Sequence, residues 1–430
     1  MQFDFLKNLS EKSGRLVVGL DVGTTKICAV VGEITPARET DEGFSPGGLN
    51  IIGTGAASSR GIKKGVITNI EHTAGAITEA VQEAETAAGV EIKAVHIGIT
   101  GRHIGCLSSH GVIAVKEKEI GQKEVDNVID AAKAVAIPFD IEMLHVIPAG
   151  FKVNGQNGIT DPRGMSGIRL ETNVRIITAA ATSIQNLVKS CRRAGLDVID
   201  IVFQPLASAE AVLTQDEKDL GVAVIDIGGG TTDIALFYEG NIYHSAVLAI
   251  GGGNFTNDIA VGLRTPTLEA ERIKKNHGCA MISCIKGDEE IEVGFADGKL
   301  FRKIPRRYLI EILQPRAEEL FGLLKHEITG KGFHKVMNSG VVLTGGAALM
   351  EGMDVMAESI LELPVRIGVP AGIEGSEDVK NDPAFATGVG LALHGAEEDM
   401  AEQVSDNGSM FPDIRTKVRT WFSDVLKLRN

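Results

Sequence analysis

Two short segments carry the side chains and the backbone freedom needed to grip phosphate. Asp21-Val-Gly-Thr-Thr-Lys26 and Asp226-Ile-Gly-Gly-Gly-Thr-Thr-Asp233 each lie between two apolar runs, so each predicts a β-hairpin with a polar tip. Glycines at the tips (Gly23; Gly228, Gly229 and Gly230) let backbone N–H groups approach an anion closely. The hydroxyls of Thr24, Thr25, Thr231 and Thr232 add donors. The Asp that closes the first strand of such a hairpin can hold a hydrated divalent cation beside the phosphates. Three successive glycines weaken a hairpin unless its backbone must come close to something, which makes the second segment hard to explain by folding alone. Lys26 could reach a phosphate or face solvent. Two such hairpins facing each other would hold a nucleoside triphosphate from both sides, implying two duplicated lobes with ATP in the cleft between them.

Two further glycine turns fall in the second half. Thr344-Gly345-Gly346-Ala347-Ala348 follows an apolar run and predicts a tight turn at a helix N-terminus, suited to an adenosine or phosphate edge lying against backbone. Ile250-Gly251-Gly252-Gly253-Asn254 stands at the head of another predicted helix. Glu269-Ala-Glu-Arg-Ile-Lys-Lys275 beyond it reads by itself as a solvated, ion-paired helix face.

These segments need a sizeable framework. A chain of 430 residues suits two to four subdomains rather than one core. A net charge of −14 excludes the broad basic surface that general nucleic-acid binding requires. The N-terminus lacks the pattern of a signal peptide, and no apolar run approaches the ~20 residues needed to span a bilayer. Five scattered cysteines predict reduced thiols rather than a zinc site or disulfides, and hence a cytoplasmic protein.

Periodicity predicts strands over 16–34 and 51–58 and a helix over 69–88 stopped by Gly89. A β-rich block at 90–167, with one helix over Gln122–Ala136, reads as an insertion closed by Asp161-Pro-Arg-Gly-Met-Ser-Gly167. The expected organisation is a first lobe over 1–89 and 168–213, resuming with a strand at 174–180. A second lobe follows over 214–251 and 336–382, with a small subdomain at 252–335. A small-residue helix at 383–395 returns to the first lobe. Residues 396–413 are rich in acidic and poor in apolar side chains, which predicts a solvated linker. In 414–430 the apolar side chains Ile414, Val418, Trp421, Phe422, Val425 and Leu428 share one helical face beside five basic residues. That is the profile of a helix lying in a membrane interface.

In this order the segments resemble the actin/DnaK/sugar-kinase ATPase superfamily: two phosphate hairpins, two connecting helices at 204–213 and 383–395, and an adenosine turn at 341–353. Within it the chain resembles the FtsA family of bacterial division proteins. The resemblance rests on His145-Val-Ile-Pro148, on 161–167, on Pro205-Leu-Ala-Ser-Ala-Glu-Ala-Val-Leu213, on Gly262-Leu-Arg-Thr-Pro266 and on Ala270-Glu-Arg-Ile-Lys274. It implies an α/β, actin-like fold of two duplicated ribonuclease-H-like lobes, an inserted small α+β subdomain and a C-terminal amphipathic helix. It also implies that Asp21 and Asp226 hold Mg2+, and that Glu271, Lys274 and Lys275 meet the ribose and adenine opposite Gly252, Gly345, Gly346 and Ala347. By the same resemblance the partners would be the FtsZ C-terminal peptide, at 252–335 around Arg306, Arg307 and Tyr308, and other copies of the chain in an actin-like filament. Further division proteins and the inner face of the cytoplasmic membrane, reached through Val418, Trp421, Phe422, Val425 and Leu428, complete the implied set.

Many relatives place Glu where this chain has Gln204, before the Pro of the first connecting helix. A neutral amide can orient water but cannot take its proton, so tight ATP binding with at most slow hydrolysis is expected. Other readings are an MreB- or PilM-like assembly protein or a small-molecule kinase of the same superfamily. A DnaK-like chaperone would need a peptide-binding domain for which the residues after Gly395 are too few.

Overall fold

The computed structural model describes residues 15–406, apart from 36–37, 41–42, 46–47, 118, 288, 295–300 and 331. The expected membrane helix, with Val418, Trp421, Phe422, Val425 and Leu428, lies outside the described residues.

The first lobe is built on a six-stranded sheet in the order 197–203, 94–99, 15–22, 26–35, 48–58, 373–375. Strands Arg15–Val22 and Lys26–Thr35 form an antiparallel hairpin, Asp21 opposite Cys28. Their near-continuous apolar runs reflect burial on both faces; Leu20, Ile27, Ala29, Val30 and Val31 are sealed from solvent. Strand Ala94–Ile99 adds in parallel on the other side of Arg15–Val22. Helix Ile70–Ala88 starts where the Asn69 side chain accepts from the His72 N–H and stops at left-handed Gly89. Its Ala76, Ile77, Ala80 and Ala84 are buried at helical spacing.

The second lobe repeats the plan with five strands in the order 241–248, 232–238, 222–227, 341–344, 365–367. Again an antiparallel hairpin, Val222–Ile227 with Thr232–Tyr238, is flanked by a parallel strand, which sets Asp226 beside Thr344. Each lobe thus aims one hairpin tip the same way relative to its sheet. Helices Gly252–Leu263, Thr267–His277 and Arg306–Gly330, with the ribbon 290–294/301–305, make the smaller part of this lobe.

Four boundaries differ from the sequence reading. The inserted unit is a four-stranded sheet in the order 156–159, 141–153, 169–180, 105–114, covered by helix Gln122–Lys133. Strand 94–99 belongs to the first-lobe sheet, and 169–180 is not the lobe resuming but a central strand of the insertion. Leu170, Val174 and Ile176 point into the insertion's own core with Val125, Val128 and Ile129. The expected linker at 396–413 is helical through its first half, because the last helix runs Ala386–Asp406. Ala396 is buried and Asp399 meets Arg15 at 2.7 Å. Ala, Glu, Met and Gln are strong helix formers, so a charge-rich composition fits a docked helix as well as a linker. Finally, Gly345–Ala348 does not open an α-helix: Gly346–Leu349 is a single 3-10 turn, and the helix begins at Met353.

Candidate functional site

The two hairpin tips meet. A Cβ on Gly229 would lie 2.2 Å from Thr25 Oγ1, and one on Gly230 would lie 2.6 Å from Thr24 Oγ1. The glycines expected to permit close approach of an anion therefore also permit the opposite tip to come this near. Each tip is held from behind. The Gly23 N–H donates to the Lys26 carbonyl at 3.1 Å, and the Gly228 N–H to the Thr231 carbonyl at 3.0 Å. The N–H groups of Gly252 and Gly253 donate to the carbonyls of Gly228 and Gly229 at 2.8 and 2.7 Å, which fixes the head of helix Gly252–Leu263 against the second tip. Thr232 is buried and donates through Oγ1 to the Ile250 carbonyl at 2.8 Å.

Behind the tips stands a group of carboxylates. Asp21 Oδ1 accepts from Gln204 Nε2 at 2.8 Å. Asp226 Oδ2 accepts from Ser208 Oγ at 2.8 Å and from Thr387 Oγ1 at 3.0 Å. Asp233 accepts from Thr100 and, at 3.4 Å, from Thr231. Burial pushes Asp21 up to about 7, Lys26 pulling it down and Asp226 pushing it further up. Burial and the neighbouring Asp226 push Asp233 up to about 8. Asp226 is also raised by burial, against the pull of the Ser208 and Thr387 hydroxyls. A cluster of carboxyls that water does not solvate is electrostatically short of positive charge, so its donor set fits a hard divalent cation such as Mg2+.

Lys26 follows neither of its expected alternatives. Its Nζ donates to the Ala384 carbonyl at 2.9 Å and lies 4.4 Å from the centre of the Phe385 ring, tying the first hairpin to the head of the last helix. On the other side of the cleft Lys274 Nζ donates to the Gly252 carbonyl at 3.1 Å and pairs with Glu271 at 2.7 Å. Gly252 lies between Lys274 and Ala347: its Cβ would be 3.4 Å from the former's Nζ and 3.2 Å from the latter's Cβ. The structure thus gathers Glu271, Lys274, Gly252 and Ala347, whereas Lys275 is mostly exposed and only 3.9 Å from Glu271. Gly345, at φ 86°, is required twice over, because any Cβ there would strike Asp226 Oδ1 at 2.2 Å. Gly346 stands beside Ala384.

Arg306, Arg307 and Tyr308 occupy the first turn of helix Arg306–Gly330. Arg306 is spent on structure, donating to the His277 carbonyl at 3.0 Å and pairing with Glu351. Arg307 and Tyr308 are exposed. Four residues of the cluster went unassigned from sequence: Thr100, Ser208, Asp233 and Thr387. Ser208 and Thr387 are hydroxyls flanked by small apolar residues (Ala207 and Ala209; Ala386 and Gly388), the one sequence signal that could have found them.

Comparison with known proteins matches residues 223–390 to the cell division protein FtsA family and residues 101–178 to the SHS2 domain inserted in FtsA. The second range agrees with the insertion boundaries drawn by the sheet. The cell division protein FtsA of Pseudomonas aeruginosa is 45% identical over 409 residues, 95% of this chain and 96% of the relative. Among solved structures, a PilM–PilN type IV pilus biogenesis complex superposes with a TM-score of 0.63 at 17% identity, covering 88% of this chain and 98% of the other. MreB5 of Spiroplasma citri bound to ADP gives a TM-score of 0.54 at 16% identity, covering 92% of this chain and 100% of the other. The fold is that of the actin-like ATPases with an SHS2 insertion.

Proposed function

This chain belongs to the FtsA family of actin-like cell-division proteins, and on that premise we propose that it binds ATP and Mg2+ between its two hairpins, assembles with its own copies, and tethers the FtsZ ring to the inner face of the cytoplasmic membrane. The observation that carries the nucleotide reading is the meeting of Gly229 and Gly230 with Thr25 and Thr24 directly in front of Asp21 and Asp226. Backbone N–H groups at the tips and the hydroxyls of Thr24 and Thr25 would cradle the phosphates, and the two carboxylates would hold Mg2+ through water. The cation would neutralise phosphate charge. Glu271 and Lys274, fixed beside Gly252, would border the ribose and adenine opposite Gly345 to Ala347, with Lys275 at the rim.

Gln204 decides the enzymology. Its amide is committed to Asp21 and carries no basic site, so it positions but does not deprotonate water. The nucleotide then acts as a structural element that braces the two lobes. Turnover by the purified full chain is expected below roughly one per minute, far under the typical 1–10³ per second of dedicated enzymes. Many turnovers per second, measured by phosphate release, would overturn this.

The tether reading rests on the amphipathic sequence 414–430, since no helix among the described residues is long and apolar enough to cross a membrane. Removing 414–430 should abolish co-sedimentation with anionic liposomes and leave ATP affinity unchanged; retained sedimentation would contradict it. For the FtsZ peptide, the second-lobe subdomain offers a groove of about 390 Å3 lined by Val261 of helix Gly252–Leu263 and by Ile312, Pro315 and Arg316 of the long helix that also carries Arg307 and Tyr308, with Asp258 and Glu319 beside Arg316. Arg316 is already paired with those two carboxylates, so it is the apolar lining that suits the apolar side chains of a short segment.

A further inference from the structure

The inserted subdomain is tied to the nucleotide cleft by side chains that the phosphate grip does not use. Strand Asp197–Phe203 is outermost in the first-lobe sheet, so N–H groups along its open side have no strand of that sheet to pair with. Strand Ile141–Val153 of the insertion packs against this edge. There His145 Nε2 accepts from the Phe203 N–H at 2.9 Å. A ring nitrogen that accepts carries no hydrogen, so the His145 imidazole is neutral here, with its proton on Nδ1.

Phe203 immediately precedes Gln204, and the chain passes from strand to helix between the two. Among the described residues no side chain caps that helix, and Pro205 in its first turn has no N–H to offer. The place of Gln204 is therefore set by contacts from outside the turn. His145 holds the N–H before it, and Gly98 walls its side chain, since a Cβ there would fall 2.8 Å from Gln204 Cγ. The Gln204 amide in turn donates to Asp21 at 2.8 Å.

The insertion strand is shaped for this contact. Its pairing with Arg169–Ala180 slips between Met143, opposite Thr178, and His145, opposite Ile177. Such a bulge re-aims a side chain and recurs beside functional sites. Leu144, between them, is buried with Ile177 in the core of the first lobe, which seats this end of the insertion. A second link runs the same way. Thr100, the first residue beyond strand Ala94–Ile99 where the chain leaves for the insertion, donates to Asp233 of the second lobe.

We propose that His145 is a positioning residue for the nucleotide site: by holding the Phe203 N–H it sets Gln204 on Asp21, and so makes the seat of the insertion and the grip on nucleotide interdependent. The inference rests on the nucleotide reading above. Whatever draws the insertion off the sheet edge would loosen Gln204, and by linkage bound nucleotide would tighten the insertion's hold on that edge.

The test is calorimetric titration of the full chain with ATP and Mg2+. His145→Leu, which keeps the bulk and removes the acceptor, should weaken ATP binding ~3–10-fold, and His145→Gln, whose Oε1 can reach the same N–H, should restore most of it. A residue that only packs would give the reverse order, because Leu fills the space and Gln does not. In a Gln204→Ala background His145→Leu should cost nothing further, since the two act on Asp21 in series. His110→Gln, on a half-exposed residue elsewhere in the insertion, should leave ATP affinity unchanged. ATP with Mg2+ should also slow hydrogen exchange at the Phe203 amide of the wild type, a measurement that decides the matter even if His145→Leu does not fold. Equal affinity in wild type and His145→Leu, an undiminished loss in the Gln204→Ala background, or a Phe203 amide indifferent to ATP would each overturn the proposal. A wild-type chain that binds no ATP would overturn the nucleotide reading, and this inference with it.

Discussion

The two hairpins share a backbone and differ in how each holds its carboxylate. In the first lobe Asp21 is met by the Gln204 amide and lies within the field of Lys26. In the second, Asp226 is met by the hydroxyls of Ser208 and Thr387, one from each connecting helix. The second tip also carries the additional glycines and a further acid, Asp233, which binds Thr100 of the first lobe. Duplication thus preserved the fold of the grip while the side chains behind it diverged. One half is tied to a single connecting helix through the Gln204 amide, and the other to both connecting helices through Ser208 and Thr387. The second half therefore senses lobe geometry directly, because moving either connecting helix withdraws a donor from Asp226.

Filling the second tip should break this arrangement most severely. Gly229→Val places a branched side chain where a Cβ alone already sits 2.2 Å from Thr25 Oγ1, so the tips must part. ATP affinity in the presence of Mg2+ is expected to fall at least ~100-fold, with a folded protein by circular dichroism. Thr25→Val at the first tip should cost much less, because it removes one donor and adds no bulk. Similar losses for both would erase the distinction drawn between the tips.

Next in size are the donors behind the carboxylates. Ser208→Ala combined with Thr387→Val leaves Asp226 Oδ2 without either hydroxyl and should weaken Mg2+-dependent ATP binding by ~2–4 kcal/mol. Gln204→Ala removes one donor from Asp21 and should cost about half as much. If Gln204→Ala were the more damaging, the first hairpin, not the second, would be the fixed half.

The smallest effect is electrostatic. The carboxyls of Asp21 and Asp233 titrate higher in the folded chain than when unfolded, so the folded chain binds the extra protons. The stability they lend is complete below about pH 4 and is lost as pH rises through about 7 and 8. The metal-free thermal midpoint should therefore decline between pH 6 and 8, and Mg2+ with ATP should flatten that decline. Lys26→Met should move the decline toward higher pH, since Lys26 is what pulls Asp21 down. An unmoved profile would remove Lys26 from the cluster.

Much of this was legible before any coordinates. The hairpins announced themselves because apolar runs, an Asp and glycines must be contiguous to make such a tip, and contiguity is what a sequence displays. Helix Ile70–Ala88 was equally plain, since its cap and buried stripe are local. What escaped notice is assembled from distant segments. Strand 169–180 could not be assigned to the insertion because alternation identifies a strand and not its sheet. Thr387 and Ser208 gain meaning only where two helices from opposite ends of the chain converge on Asp226. His145 reads as one more residue of a strand until the sheet edge at Phe203 is brought beside it. The acidic run after Gly395 misled because local charge cannot tell a docked helix from a solvated segment.

The central claim is that both hairpins serve a single nucleotide. Isothermal titration of wild type, Asp21→Asn and Asp226→Asn with ATP in the presence of Mg2+ tests it most directly. The expected result is one ATP per wild-type chain and a comparable loss of affinity, at least ~10-fold, in each variant alone. Full-strength binding by either variant, or two independent sites in the wild type, would contradict it.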